Sequence, residues 1–155
     1  MTTVCLLGDR DAEAPLRREL LSRETAREAL ATYDLYSPFH DSVALETVSL
    51  GTALALCNDL DWYLTRFVDE TLLQEPSVTD EEWLSRDLAT AIRNERAAPE
   101  ETGRYLKVYG LREDRLLEPM YLARTGSGRP SYDLHDVEET VTVRVTEAEF
   151  DQPGR

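Results

Sequence analysis

The longest sustained apolar pattern in the chain covers residues 49–73, SLGTALALCNDLDWYLTRFVDETLL, and it constrains the fold more than any other stretch. Side chains of the buried type recur there at steps of three and four residues, which is typical of one face of an α-helix. The positions on this face are Ala53, Cys57, Leu60, Leu64, Phe67, Val68, Thr71 and Leu72. Ser49 can cap the first turn with its hydroxyl. The pattern therefore predicts one long amphipathic helix that packs against the core.

Two further helices are predicted from their start signals. Residues 15–33 carry an apolar stripe, and this helix begins either near Pro15, since proline favours a first turn, or at Ser22 as an N-cap. Thr79, followed three residues later by Glu82, forms a capping box in which both side chains satisfy backbone N–H groups. The capping box predicts that the next helix begins at Thr79.

Several short stretches have the composition or the alternation of β-strands. They are residues 3–7, 43–48, 104–111, 116–123 and 140–146. In the last of them valine alternates with polar side chains, as in a strand with one buried face. The stretches 104–111 and 116–123 flank a polar turn and predict a hairpin, in which Pro119 favours an edge or a bulge.

No internal repeat and no break in composition divides the chain. Helices are predicted mainly in the first two thirds and strands in the last third, a distribution that is typical of α+β proteins. The sequence therefore predicts a single α+β domain over residues 1–150, with one mixed or antiparallel sheet and helices packed mainly on one face. Residues 151–155 are expected to form a frayed C-terminal tail.

The charge balance indicates the solvent for which the chain is adapted. There are 31 acidic and 17 basic residues, a formal net charge of −14, and Lys107 is the one lysine among the basic residues. In molar salt the Debye length falls to ~3 Å, so a carboxylate-rich surface stays hydrated while its self-repulsion is screened. Thermophilic proteins tend instead towards lysine together with glutamate. The balance predicts a protein of an extreme halophile.

Several classes of partner and location are excluded by the same composition. Basic residues are scattered without a Lys/Arg stripe, so binding to nucleic acid through phosphates is not expected. No apolar run approaches the ~20 residues that cross a bilayer, and the N-terminus lacks the pattern of a signal peptide. Cys5 and Cys57 lie within apolar patterns and are expected to be small buried side chains. We therefore expect a cytoplasmic protein without membrane association.

Five segments carry a family resemblance: ELLSRETAREALATYDL, SLGTALALCNDLDWYL, EEWLSR, RYLKVYG and YDLHDVEETVTVRVTEAEF. Together they resemble an uncharacterised protein family of halophilic archaea, and the resemblance covers most of the chain. It implies a haloarchaeal cytoplasmic protein. It transfers no catalytic or binding residue to this sequence.

Each of the two histidines precedes an aspartate, as His40-Asp41 and His135-Asp136. Imidazole with nearby carboxylates can bind a divalent metal or carry out acid–base chemistry. Neither pair has the ligand spacing of a motif such as His-Glu-x-x-His, and carboxylates are abundant throughout the chain. The two pairs therefore define an alternative hypothesis, a small metal-dependent or acid–base enzyme, without assigning a catalytic, metal or cofactor residue.

The leading hypothesis is a non-enzymatic binding or regulatory module that acts through contacts with another protein. Aromatic side chains are favoured at protein interfaces because each buries a large area. The loop around Tyr33, Tyr36 and Phe39 supplies the candidate surface, with Trp62 or Trp83 as a further member. No cofactor is expected. Convergence of the two histidines in one pocket would instead favour the enzyme.

We predict that folding depends on salt. In dilute buffer a net charge of −14 repels itself over long distances, whereas molar KCl screens this repulsion. Far-UV circular dichroism is therefore expected to show cooperative structure in molar KCl and weakened structure in dilute buffer. Equal or greater stability in dilute buffer would contradict the halophilic interpretation.

Overall fold

The structure is a computed structural model that describes residues 1–9, 14–124 and 139–151. The strands in this part are β1 (Thr2–Gly8), β2 (Ser42–Thr47), β3 (Val68–Gln74), β4 (Trp83–Ser85), β5 (Tyr105–Arg112), β6 (Arg115–Leu116), β7 (Met120–Ala123) and β8 (Glu139–Val145). The α-helices are α1 (Leu16–Leu21), α2 (Glu24–Leu30), α3 (Leu50–Asp59), α4 (Asp61–Phe67), α5 (Arg86–Arg93) and α6 (Glu147–Asp151). A 3₁₀ turn covers Pro99–Glu101. No helix in these ranges is long and apolar enough to cross a membrane.

All of the described strands belong to one sheet, in the order β2-β1-β3-β4-β8-β5-β6, with β7 also paired to β5. Neighbouring strands are antiparallel except for β4 and β8, which are parallel. The sheet is therefore mixed, and the predicted α+β class is confirmed. The predicted strands near residues 3–7, 43–48, 104–111 and 140–146 are also confirmed, as is the hairpin partner of β5.

Each face of the sheet has its own apolar core, because alternate side chains of a strand lie on opposite faces. Helices α1 to α5 cover the first face, where the core includes Leu6 and Leu73. The second face has a smaller core that includes Cys5 and Leu72, and Phe150 of α6 packs against it. The helices thus lie mainly on one face, as predicted from the sequence.

The sheet curls around its second face, which is therefore concave. The ring of Phe39, in the loop before β2, lies 6.4 Å from the ring of Trp83 on β4, three strands further along the sheet. The backbone N–H of His40 donates to the carbonyl oxygen of Asp114 at 2.7 Å, in the turn between β5 and β6. This hydrogen bond links the two ends of the sheet.

The prediction of one long helix over residues 49–73 is confirmed as helical up to residue 67, although in two helices, and is wrong over residues 68–73. Ser49 caps α3 as predicted, since its Oγ accepts from the N–H of Thr52 at 3.1 Å. The helix ends at Asp59, α4 follows, and Val68–Gln74 forms strand β3 instead. Residues 68–74 pair with β1, and that ladder supplies the backbone hydrogen bonds that a helix would otherwise provide. Tertiary pairing overrode the helical spacing.

The predicted capping box at Thr79 does not begin a helix. The Thr79 hydroxyl accepts from the N–H groups of Glu81 and Glu82 at 3.3 and 3.4 Å, but the chain then enters β4. Helix α5 begins at Arg86 and is capped by Ser85, whose Oγ accepts from a backbone N–H at 3.2 Å. The local cap chemistry was therefore correct, but the hydrogen bonds form in a turn.

Glu82 is buried instead, and its carboxylate is held by Arg144 on β8 and by Arg124, which directly follows β7. Arg144 Nε donates to Oε1 at 2.6 Å and Arg124 Nη2 donates to Oε2 at 2.7 Å. Arg144 also donates to the hydroxyl of Thr102 at 3.1 Å. Charge-assisted hydrogen bonds of this kind are about twice as strong as neutral ones. They explain why Glu82 leaves the capping position that its spacing from Thr79 predicts.

The stripe over residues 15–33 forms two short helices with a break at Ser22. Helix α1 begins after Pro15, and Ser22 is the C-cap of α1 instead of the N-cap of a later helix. Helix α2 begins at Glu24. Pro15 thus directly precedes the start of α1, and Ser22 lies two residues before the start of α2. The predicted tail falls partly outside the described residues, since 151 ends α6 and 152–155 are not described.

We predict that Glu82→Gln destabilises the fold by about 3 kcal/mol at pH 7, because two half-buried guanidinium groups lose the charge of a buried carboxylate. Burial alone raises the pKa of Glu82, but the two arginines outweigh it and lower the pKa. The contribution of the charge is therefore complete above the unfolded value of about 4.3 and is lost as the pH falls through the lower folded pKa. Urea unfolding in molar KCl, followed from pH 7 to pH 3, measures both effects.

The matched control is Glu81→Gln, at an exposed carboxylate one residue earlier. It should change the free energy of unfolding by less than ~0.5 kcal/mol. Equal effects of the two substitutions would mean that the arginine contacts of Glu82 do not stabilise the fold.

Candidate functional site

The predicted aromatic loop does not present its three rings together. Tyr33 is half-buried against the core of the first face, and Phe39 is half-buried against the core of the concave face. Tyr36 remains 44% exposed beside β2, where it forms an isolated backbone bridge with Ala44. Of the three loop rings, Tyr36 is the most exposed, and the further candidate Trp62 is 49% exposed on α4.

In the first His-Asp pair, Asp41 makes hydrogen bonds that stabilise the fold. Asp41 Oδ1 accepts from the N–H of Leu16 at 2.8 Å and so satisfies the first turn of α1, while its carbonyl oxygen accepts from Gly8 at 2.8 Å. A Cβ at Gly8 would lie 2.1 Å from Asp41 Oδ2, so this close contact requires glycine. His40 is exposed at the mouth of a cavity.

The second pair, His135 and Asp136, lies outside the described residues. Within the parts of the chain that are described, no group of three or more histidine, cysteine, aspartate or glutamate side chains is placed to hold a metal ion.

The centre of the concave face holds a buried ion pair. Lys107 on β5 donates through Nζ to Oε2 of Glu70 on β3, although two strands separate these two in the sheet. The two side chains are only 7% and 18% exposed. Lys107 Nζ also lies 5.4 Å from the ring centroid of Tyr109, which is buried beside the pair. The chain thus places its single lysine where a compact ammonium group is enclosed.

Electrostatics keep the lysine in its charged form. Burial alone lowers the pKa of Lys107, but the Glu70 carboxylate and the neighbouring Tyr109 outweigh it, so the pKa is raised. Burial raises the pKa of Glu70, and Lys107 opposes that rise. Burial, followed by the Glu70 charge, raises the pKa of Tyr109. At neutral pH the cluster therefore offers an ammonium donor and a phenol, and it offers no free amine nucleophile.

A cleft of about 650 Å³ lies over this ion pair. Its walls include the carboxylates of Asp69, Asp87 and Glu118 and the hydroxyl of Tyr121. The lining is predominantly polar, so the cleft suits a hydrated polar group better than an apolar body. The sequence signalled this site only through the rarity of lysine, which by itself does not identify Glu70 as the partner.

An exposed aromatic cluster lies on α4, one of the helices that pack on the first face of the sheet. The Trp62 side chain is 49% exposed, and Arg66 Cζ lies 4.0 Å from its ring centroid. Arg66 Nη1 also donates to the Trp62 carbonyl oxygen at 3.1 Å. Arg23, from the junction of α1 and α2, lies 5.8 Å from the Trp62 ring and 4.7 Å from the ring of Phe67. We call Trp62, Arg23 and Arg66 the Trp62 surface.

Contacts with neighbouring side chains fix the position of the Trp62 surface. Trp62 meets the rings of Tyr63 and Phe67 edge to face, at 5.1 and 6.1 Å. Arg23 forms an ion pair with Glu19 at 3.6 Å, and its buried Nε has no hydrogen-bond partner among the described residues. Stacking on aromatic rings therefore fixes the guanidinium groups. The helical spacing predicted Trp62 on this helix but gave no signal for Arg23.

Both cysteines are buried, as predicted from the apolar patterns. Burial raises the pKa of Cys5 to about 12. Burial also raises the pKa of Cys57 to about 11. A thiol reacts as its thiolate, so neither side chain is a nucleophile at neutral pH.

We predict that the ion pair on the concave face behaves as a buried pair. Lys107→Met should destabilise the fold by about 3–5 kcal/mol, because the buried Glu70 would have to carry an unpaired charge or take up a proton. The double variant Lys107→Met with Glu70→Gln should be more stable than Lys107→Met alone. Urea unfolding in molar KCl gives the free energies for this double-mutant cycle.

The control is the exposed pair of Arg86 and Asp61, whose atoms lie 2.8 Å apart and whose aspartate is 60% exposed. Asp61→Asn should cost less than ~1 kcal/mol. A double variant at Lys107 and Glu70 that is as unstable as the sum of its single variants would contradict the coupling.

Residues 2–111 match the model of a protein family that is described as "Family of unknown function (DUF5804)". This range contains Glu70, Lys107 and Tyr109 of the concave face and all three residues of the Trp62 surface. No curated protein and no solved structure matches the chain. Because the matched range covers well over half of the sequence, the chain belongs to this family of unknown function, DUF5804.

Proposed function

We propose that the protein is a non-enzymatic binding module of a halophilic archaeal cytoplasm, and that it acts by contacting another protein through the Trp62 surface. The observation that carries the proposal is the placement of Trp62, which is 49% exposed between two guanidinium groups. Tryptophan and arginine are the residue types most enriched among side chains that dominate binding energy at interfaces.

The rigidity of the Trp62 surface supports this role. Edge-to-face contacts with two rings and stacking of Arg66 restrict the Trp62 side chain before any partner arrives. A side chain that is already ordered loses less conformational entropy on binding, so more of its contact energy contributes to affinity. An exposed tryptophan that served no partner would gain little from such support.

The charge of the surface indicates the chemistry of the partner. Arg66 places a cation on the Trp62 ring, and Arg23, paired with Glu19, lies beside it, in a chain with a net charge of −14. A partner with carboxylates around an aliphatic patch would complement it, with the aliphatic patch covering the indole. Contacts between an aromatic ring and apolar groups persist in high salt, whereas exposed ion pairs are screened. The interface therefore suits a saline cytoplasm.

The contacts on the concave face also favour binding over catalysis. The Asp41 carboxylate is occupied by the start of α1, and Lys107 is held as an ammonium by Glu70. A general base must be free to take up a proton, whereas the Asp41 carboxylate already accepts from the backbone of α1 and Lys107 is already protonated. The enzyme hypothesis would need His40 and His135 to act without them.

The test is capture of partners from an extract of the source cells at molar KCl. The immobilised baits are the native chain, Trp62→Ala and Tyr36→Ala. The Tyr36→Ala variant is the matched control, because it removes another exposed aromatic side chain, beside β2. We expect a partner that both the native chain and Tyr36→Ala retain. Trp62→Ala should retain at least ~10-fold less of it, as expected for loss of a central interface side chain.

Two further measurements complete the test. Arg66→Gln, which keeps Trp62 but removes its stacked cation, should weaken capture less than Trp62→Ala does. Sedimentation of the purified chain at molar KCl identifies the case in which the partner is a second copy. Capture that survives Trp62→Ala undiminished would overturn the proposal.

A further inference from the structure

A second cavity, of about 620 Å³, lies at the end of the concave face where the two edges of the sheet meet. Its apolar wall includes Leu7 of β1, Leu116 of β6 and the following Leu117, with the buried ring of Tyr109 between this cavity and the cleft over Lys107. Apolar lining predominates, and the volume lies within the range of about 300–1,000 Å³ that is typical of sites for small molecules.

Two oppositely charged side chains on the lining are open to a ligand. Arg115, at the start of β6, and Asp69, on β3, are both exposed and both line the cavity. Neither side chain has an ion pair or hydrogen bond with any residue in the ranges 1–9, 14–124 and 139–151. Asp41 lines the same cavity, but its carboxylate is already held by the backbone of α1.

We propose that this cavity binds a small zwitterion with an aliphatic body, the chemistry of an apolar α-amino acid. The guanidinium of Arg115 accepts the ligand carboxylate, for which its planar fork is suited. The carboxylate of Asp69 holds the ligand ammonium group. The aliphatic body lies against Leu7, Leu116 and Leu117.

The charges around the cavity favour a zwitterion over either single ion. Asp9 and His40 also line the cavity, and Asp9 has an interaction of its own within the chain. A simple carboxylate would use Arg115 but would leave Asp69 without a counter-charge, and a simple amine would leave Arg115 without one. Because Arg115 and Asp69 are exposed, molar salt weakens both charge contacts, so the apolar wall must supply part of the affinity. Displacing water from the three leucines adds an apolar contribution that salt does not weaken.

The experiment is isothermal titration of the full chain at molar KCl with three probes of the same carbon skeleton. They are L-leucine, 4-methylpentanoate, which lacks the ammonium group, and isopentylamine, which lacks the carboxylate. We expect leucine to bind and each truncated probe to bind at least ~10-fold more weakly, because each loses one charge-assisted contact.

Two variants assign the contacts. Arg115→Gln should remove the advantage of leucine over isopentylamine, and Asp69→Asn should remove its advantage over 4-methylpentanoate. Arg96→Gln and Asp59→Asn are the matched controls, since both side chains are exposed and line none of the described cavities. Circular dichroism establishes that each variant is folded.

Failure of leucine to bind would overturn the proposal. Equal affinity for leucine and either truncated probe, or unchanged leucine binding in both variants, would overturn it as well. Neither result bears on the Trp62 surface, which lies on α4 and is tested by capture of a protein partner.

Discussion

The contact between Lys107 and Glu70 crosses the concave face, and the arrangement of the sheet depends on it. In a flat sheet, strands β3 and β5 would lie roughly 14 Å apart, because two strands separate them. The side chains meet because the sheet curls, and the enclosed charges disfavour flattening, since a buried ion without its partner costs several kcal/mol. The same curl brings Phe39 to Trp83 and His40 to Asp114.

The uneven covering of the two faces follows from this geometry and determines where ligands can enter. Helices α1 to α5 fill the first face with apolar side chains, whereas among the described helices only α6 packs on the concave face. The remaining space forms the cleft over Lys107 and the cavity beside Arg115, which share the ring of Tyr109 as a wall. The fold thus separates a packed side, which supplies stability, from an open side that can hold ligands.

The two kinds of proposed contact respond differently to salt. The Trp62 surface combines an indole with stacked guanidinium groups, and its apolar contacts do not weaken in salt. The buried pair on the concave face is largely enclosed, so its charges are screened less than those of an exposed pair such as Arg86 and Asp61. A chain with a net charge of −14 can therefore retain specific electrostatic contacts where water and salt are kept out.

Local patterns in the sequence determined the α+β class, the main strands, the burial of Cys5 and Cys57 and the cap at Ser49, because these depend on residues within one or two turns of each other. Tertiary structure decided three further features. Residues 68–74 became a strand through pairing with β1, Glu82 left its capping position for two arginines, and Lys107 met a glutamate 37 residues away. Each of these outcomes depends on partners that are distant in the chain, and periodicity records only which face a side chain takes, not which distant residue it will meet.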